Sequence, residues 1–539
     1  MISLRQGSSV FGAMLALLPV AFSQTVLYEM TSPTPADAFG WSVAFLGDLD
    51  GDGADEWIVG APGDGTGGAN AGMALVYSGS GGALLHAFYG GAAGRELGFA
   101  VASAPDVDLD GVRDILVGAP GGGRVKVFSG ATGGLLMEKQ GSGRFGAALC
   151  TIGDWSGDGL PDVAIGAPQA STAHVYEGLT GSLIRSVSGA YSMGHSVADV
   201  GDLDGDGVVE LAAGAPSWDG SGWLPDQGKL FIYSGATGSV VYTIDGNNEA
   251  SELGWSVAGM EDMDGDGVAD FLVGSRGHGS LHCWDPGRVD LVSGATGSYI
   301  RSWLGSCDSM LGCSVASAGD VDQDGFPDVL AGEAQAWRYH IYSGSSGDSL
   351  LSNVGYQNIG WSAAGNGDVN GDGYADFIVA SPGSGVWSPY YSGTGQVQVL
   401  TLGCPPDAAS TYCPLTPNST GPGATLYHQN SLSVAANNLR LVAIDLPQTQ
   451  FGLFYYGPSP SQIPFGDGNR CVAGGVYRLQ VVSTGSGAAS HLVDYTNPPQ
   501  ASAQITPGST WFFQFWYRDP AASGAGYNLT DGLRLHFCP

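Results

Sequence analysis

Positive charge is scarce in this chain. Lys and Arg together number 18 in 539 residues, against 51 Asp and Glu, and the formal net charge is −33. That shortage argues against nucleic acid or an anionic membrane as a partner, because both recruit clusters of Lys and Arg. Long apolar runs are missing too, and no segment is long enough to span a bilayer. Helical periodicity is absent. The sequence lacks G-x-S-x-G and H-E-x-x-H elements and any convincing triad, so it is read as a non-enzyme. Disorder is excluded in turn, since 43% of residues are hydrophobic and aromatic and β-branched residues occur throughout. So much unbalanced negative charge calls for a cation.

The N-terminus reads as a secretory signal over residues 1–23. Arg5 supplies its positive end, residues 10–22 its apolar stretch, and Ala21-Phe22-Ser23 a small-x-small cleavage site before Gln24. Export suits the eight cysteines, which an oxidising compartment would allow to pair. Their connectivity does not follow from sequence. Cys283 with Cys307, and Cys413 or Cys404 with Cys538, are candidate pairs.

What is abundant is glycine, 90 residues of it, and it falls in a repeat. One phrase recurs seven times. It begins Phe39-Gly40-Trp41-Ser42, passes through Gly47-Asp48-Leu49-Asp50-Gly51-Asp52-Gly53, and closes with Gly60-Ala61-Pro62. The acidic clusters open at Asp48, Asp106, Asp154, Asp202, Asp262, Asp320 and Asp368, spaced by 58, 48, 48, 60, 58 and 48 residues. A second phrase follows each cluster, from Val76-Tyr77-Ser78-Gly79 in the first unit to Tyr390-Tyr391-Ser392-Gly393 in the last. Each unit holds four short strand signals between Gly-rich turns. Four strands repeated seven times predict an all-β chain with a seven-bladed β-propeller over residues 24–402. How the ring closes is open, because Thr25-Val26-Leu27-Tyr28 and Val397-Gln398-Val399-Leu400 both read as a fourth strand for the last blade.

The acidic clusters follow D-x-[DNS]-x-D-G-x-x-[DE]. Calcium takes six to eight oxygen ligands, and carboxylates at alternating positions of a tight turn supply them. The first loop offers Asp48, Asp50, Asp52, the Ala54 carbonyl and Glu56. The others offer Asp106, Asp108, Asp110, Val112 and Asp114; Asp154, Ser156, Asp158, Leu160 and Asp162; Asp202, Asp204, Asp206, Val208 and Glu210; Asp262, Asp264, Asp266, Val268 and Asp270; Asp320, Asp322, Asp324, Phe326 and Asp328; and Asp368, Asn370, Asp372, Tyr374 and Asp376. A single such turn reads equally well as a solvated Asx-turn. Seven at one structural position favour up to seven structural Ca²⁺. The Ser156 loop, one carboxylate short, should bind most weakly, as should the Asn370 loop.

Phe-Gly, the D-x-D-x-D-G loop and Gly-Ala-Pro, in that order, resemble the FG-GAP repeat of integrin α-subunit propellers, over about residues 24–402. Met193-Gly194 and Ile359-Gly360 depart from Phe-Gly, and Gly274-Ser275-Arg276 and Gly332-Glu333-Ala334 from Gly-Ala-Pro. The resemblance implies an adhesion or ligand-binding propeller. Integrin leg domains are not evident, so integrin signalling is not implied.

In a four-stranded meander the calcium loop and the Ser-Gly-x-Thr-Gly turn share one face. Insertions at residues 63–72, 217–228, 276–288 and 381–389 fall on the other. They carry Trp218, Trp223, Trp284 and Trp387 beside Asp219, Asp226 and Asp285. Exposed aromatics with carboxylates suit sugar rings or a protein partner, although the same indoles would serve to cover blade edges. His278 and His282 with Cys283 read as coincidence, since no helix aligns them.

Past residue 402 the repeat stops. A Pro/Ser/Thr-rich linker is expected over 403–423, then a small β-sandwich-like domain over 424–539 with Phe512-Phe513-Gln514-Phe515-Trp516-Tyr517 as a core strand. The expected function is a secreted, calcium-stabilised binding or adhesion protein that presents a propeller face to an extracellular protein or glycan. The alternatives are a polysaccharide- or lipid-acting hydrolase or lyase, and a structural component of an extracellular layer.

Overall fold

The computed structural model describes residues 24–32, 34, 36–220, 225–247, 250–277, 286–322, 324–355, 357–371, 374–383, 394–402, 409–429, 432, 434, 437–506, 509–522 and 524–537. The expected signal sequence, Trp223, Trp284, Trp387, Asp372, Cys283, Cys404, Cys538 and the His278–His282 pair lie outside them.

Seven four-stranded antiparallel sheets form the blades of a β-propeller. The first blade runs Ser42–Gly47, Glu56–Ala61, Met73–Tyr77 and Leu84–Tyr89. Its second strand, Glu-Trp-Ile-Val-Gly-Ala, is buried at every position, because both of its faces are covered by neighbouring blades. The outermost strand alternates and leaves Leu84 and Tyr89 at the surface. First strands of successive blades pack side by side all the way round, and Ser362–Gly367 of the last meets Ser42–Gly47 of the first.

The repeated glycines meet at the blade boundaries. The glycine after the apolar opening residue has φ of +88° at Gly40, +84° at Gly98 and +85° at Gly360, a region that other residues enter only at a cost. The glycine of the closing triplet abuts the next blade's opening glycine. A Cβ on Gly60 would lie 1.9 Å from the Gly98 carbonyl oxygen, and one on Gly332 1.8 Å from that of Gly360. The serine two residues after the opening glycine reinforces the seam, as in Ser42 Oγ to Gly98 O (2.9 Å) and Ser256 Oγ to Gly312 O (2.9 Å). Ser362 Oγ makes the same bond to Gly40 O (2.9 Å) and closes the ring. The opening residue itself need only be apolar and buried. Met193 and Ile359 are both 0% exposed in the place of Phe, so those departures leave the blades intact.

Ring closure resolves differently from either strand reading taken alone. Gln396–Leu402 is the third strand of the last blade, buried throughout, and pairs with Asp376–Ser381. The N-terminal strand Gln24–Thr31 pairs with its other edge as the fourth strand. The third place expected for Tyr390-Tyr391-Ser392-Gly393 is therefore taken by Val397-Gln398-Val399-Leu400, and that phrase lies outside the described residues. Tyr28 of the clasp reaches the first blade, donating to Gly79 O (2.6 Å).

The C-terminal region packs a three-stranded sheet (Thr425–Gln429, Arg440–Ile444, Ala489–Leu492) against a six-stranded one that includes Phe451–Gly457, Tyr477–Ser483 and Thr510–Arg518. Phe454, Tyr456, Phe513 and Phe515 fill the core between them. Ala409–Thr411, within the stretch expected to be a linker, adds an edge strand to the larger sheet. Cys413 is bonded to Cys471 of the strand Gly468–Ala473, not to Cys538, and the neighbouring Tyr412 hydroxyl donates to Cys471 O. Cys307 is also disulfide-bonded, and Cys150 and Cys313 are free.

Candidate metal loops and axial cup

Each acidic loop joins the first and second strands of its blade, and its own carboxylates hold its shape. Asp48 accepts the N–H of Gly51 (2.7 Å) and Gly53 (3.0 Å), and Asp202 those of Gly205 (2.8 Å) and Gly207 (2.9 Å). The closing carboxylate does something further. One oxygen of Asp114 accepts Val107 N–H (2.7 Å) inside the loop, and the other accepts Gly130 N–H (3.1 Å) from the turn after the third strand. Glu56, Asp162, Glu210, Asp270 and Asp328 bridge in the same way, to Gly79, Gly178, Gly235, Gly294 and Gly344. The two turns thus share one end of each of the first six blades.

Among the described residues, carboxylate oxygens converge within 4.8 Å in five loops: Asp48, Asp50 and Glu56; Asp106, Asp108 and Asp114; Asp202, Asp204, Asp206 and Glu210; Asp262, Asp264 and Asp270; and Asp320, Asp322 and Asp328. Each of these groups is a set of hard oxygen donors that could hold a metal ion. Among the described residues the third Asp joins only in the fourth loop. In the first and sixth loops it faces the second turn, where Ser80 donates to Asp52 and Ser345 to Asp324. It also accepts the N–H two residues on, at Ala54, Val112, Leu160, Val208, Val268 and Phe326. In the third loop Ser156 donates to Asp154 (3.1 Å). In the seventh, Val369 N–H binds Asp376 (2.9 Å), and Asp368 N–H binds Asp55 (2.9 Å) across the ring seam.

Burial first, and the like charge of loop neighbours after it, push the closing carboxylates upward against the pull of their amide donors. Glu56 and Asp114 rise to about 6, and Glu210 and Asp328 to about 7. A carboxylate buried beside like charges is costly when ionised, and a cation offsets that cost. The residues present therefore fit a metal.

Of the insertion residues, Trp218, Asp219 and Asp226 are among the described residues. Trp218 is half-buried, packed against the core of the third and fourth blades, with Lys229 Nζ 4.6 Å from its ring centroid. Asp219 is exposed and accepts Asp226 N–H (3.0 Å).

The same end of the ring carries a feature that the sequence reading passed over. The residue after each opening glycine is Trp41, Phe99, Ala147, His195, Trp255, Cys313 or Trp361, and all seven line one cavity of about 610 Å³. Each stands at the start of a first strand, opposite the acidic loop at its end, so the cavity is an axial cup. Its rings touch: Trp41 lies 5.2 Å from Phe99 and 5.0 Å from Trp361, and His195 4.2 Å from Trp255. Arg144 lies over Phe99 (4.8 Å) and is paired with Glu96 (2.7 Å), while Arg276 lies over Trp255 (3.0 Å) and is paired with Glu252 (2.5 Å). Burial, then the Arg276 charge, holds His195 down at about 4, so it is neutral. Four aromatics in register after the opening glycine were the available signal.

A family model of the FG-GAP repeat matches residues 360–400, and one of the FG-GAP-like repeat matches 154–213 and 320–379. The blade segments in these spans match the FG-GAP repeat. The chain is 31% identical to chicken (Gallus gallus) integrin alpha-V over 131 residues, which is 22% of this chain and 12% of that protein. It is 32% identical to chicken integrin alpha-6 over 120 residues (20% and 10%) and 32% identical to Xenopus laevis integrin alpha-5 over 145 (24% and 13%). The chain thus spans only a small fraction of the length of these integrin relatives. The two glycines that name the repeat touch across six of the seven seams, and at the seventh Ala380 faces Gly40.

Proposed function

We propose that this chain is a secreted, calcium-stabilised binding protein whose propeller presents its axial cup to an extracellular protein or glycan ligand. The cup carries the proposal, because every blade contributes one residue to it and four of the seven are Trp or Phe. Clustered half-buried aromatics supply contact area at low entropic cost and are the usual anchors of recognition. The acidic loops stand at the far end of the same strands. In this reading they hold Ca²⁺ through Asp, Asn and Glu side chains and the carbonyl of the seventh loop residue, Ala54 to Tyr374, and they fix the strands that position the cup. The Cys413–Cys471 bond and the N-terminal signal sequence support export.

The test is a screen of the Ca²⁺-loaded protein against arrayed extracellular matrix proteins and glycans, followed by Trp361→Ala and Trp41→Ala. A ligand whose affinity falls at least tenfold in both variants, with melting temperature preserved, is expected. Binding that ignores both substitutions would overturn the cup as the site.

A further inference from the structure

The larger C-terminal sheet has a second face, turned away from the sandwich core. The hairpin Ser459–Phe465 and Gly468–Ala473 covers part of it. There Tyr455, Val472 and Leu529 make a small core of their own, and Gln514 donates to Asn469 O (2.8 Å) and Thr530 O (2.8 Å). The hairpin tip is pinned where Asp467 accepts the N–H groups of Ala525 (2.6 Å) and Gly526 (3.2 Å). Beyond the hairpin a cleft of about 440 Å³ stays open, a volume suited to one or two sugar rings.

Two kinds of group line it. Tyr527 stands between Trp516 (5.7 Å) and Phe465 (5.6 Å), which gives a continuous aromatic wall. Arg470 and Arg478 supply positive charge. Neither is ion-paired among the described residues, and Arg470 Nε is buried without a hydrogen-bond partner. A buried guanidinium N–H with no acceptor is costly, so the cleft is one acceptor short. The arginines of the axial cup, by contrast, are already paired with Glu96 and Glu252.

Charge distribution narrows the ligand. Residues 403–539 hold five Arg and six Asp with no Glu or Lys, so this region is nearly neutral while the excess of acid lies in the blades. An anionic polymer repelled by the propeller can approach here. We infer that the cleft is a second binding site, independent of the axial cup, for an acidic saccharide. A uronate ring stacks on the wall of Trp516, Tyr527 and Phe465, and its carboxylate takes the guanidinium donors of Arg470 and Arg478. Planar, paired donors match a carboxylate in a way that ammonium groups do not.

The experiment is calorimetric titration of the full-length Ca²⁺-loaded protein with a hexamer of galacturonate. A neutral hexamer of galactose, a sulfated galactan and an apolar peptide with a free C-terminal carboxylate are run alongside. The uronate hexamer should bind, with at least tenfold loss in Trp516→Ala and in Arg478→Gln. Arg478 is exposed, so its substitution does not threaten folding, and Trp361→Ala in the axial cup should leave this binding unchanged. Equal binding of the neutral hexamer, preference for the sulfated galactan or the peptide, no uronate binding, or unaltered affinity in Arg478→Gln would each overturn the assignment. Loss of uronate binding in Trp361→Ala would place the ligand in the cup instead.

Discussion

Gly332→Ala tests the seam between blades most severely. The added Cβ would sit 1.8 Å from the Gly360 carbonyl oxygen and 2.4 Å from Ser314 Oγ, and Ser314 itself donates to that carbonyl (2.8 Å). Neither neighbour is the free end of a long side chain, so the backbones of the sixth and seventh blades must separate by more than an ångström. Overpacking of this kind costs about 1–3 kcal/mol, and losing the serine bond adds about 1 kcal/mol. A total of about 3 kcal/mol, set against an unfolding entropy of about 0.8 kcal/mol/K for a propeller of about 380 residues, lowers Tm by about 4 °C. Gly65→Ala is the matched control, since nothing lies within 4 Å of its Cβ position. Thermal melts of both variants in excess Ca²⁺, followed by circular dichroism, give the comparison. A Gly332→Ala melt within one degree of the parent, or an equal loss in Gly65→Ala, would refute the reasoning. The seventh blade already carries a buried Ala380 at this place, facing Gly40, so Ala380→Gly should relieve nothing and cost about 0.5–1 kcal/mol.

Closing carboxylates raised to about 6 or 7 bind protons in the folded state that their unfolded counterparts, near 4, have released. Their contribution in metal-free protein is therefore destabilising as pH rises from about 4 to about 7. Melts in chelator should show Tm rising on acidification across that window, whereas in excess Ca²⁺ the slope should reverse because protons displace the metal; parallel slopes would count against metal at these groups. Asp114→Asn leaves one of two buried amides, Val107 N–H or Gly130 N–H, facing an NH₂ group. Urea titration in chelator should show a loss of about 1–3 kcal/mol, with a larger loss in Ca²⁺, and an equal loss in both conditions would remove Asp114 from the metal set.

The architecture was legible because the phrase is repeated: seven copies of a four-strand pattern leave few folds available, and the turns that carry Gly and Asp mark every strand end. Closure was not legible, since two strands compete for one edge, and only the pairing of Gln24–Thr31 with Gln396–Leu402 shows that both belong to the sheet. The acidic loops were read residue by residue, yet the second role of Glu56 or Asp114 as a bridge to the next turn depends on contacts 16 or 23 residues apart. Trp218 shows the limit of reading a loop from composition. Its indole suited either a ligand or a blade edge, and in the fold it is half-buried against the adjacent blade core beside Lys229. The axial cup was hidden for the opposite reason. Trp41, Phe99, Trp255 and Trp361 each look like strand residues locally, and only the ring brings them together. In the C-terminal region, strands such as Thr510–Arg518 were visible from their alternation, whereas the hairpin that makes the cleft has too little periodicity to announce itself.

The central claim is that the acidic loops bind calcium and thereby hold the ring. Metal analysis of protein equilibrated with Ca²⁺ and desalted, paired with calorimetric titration of the chelator-treated chain, tests it directly. The five loops whose carboxylates converge predict at least five Ca²⁺ per chain, with a melting temperature that falls on chelation. A count of one or two, or a melt indifferent to chelator, would contradict it.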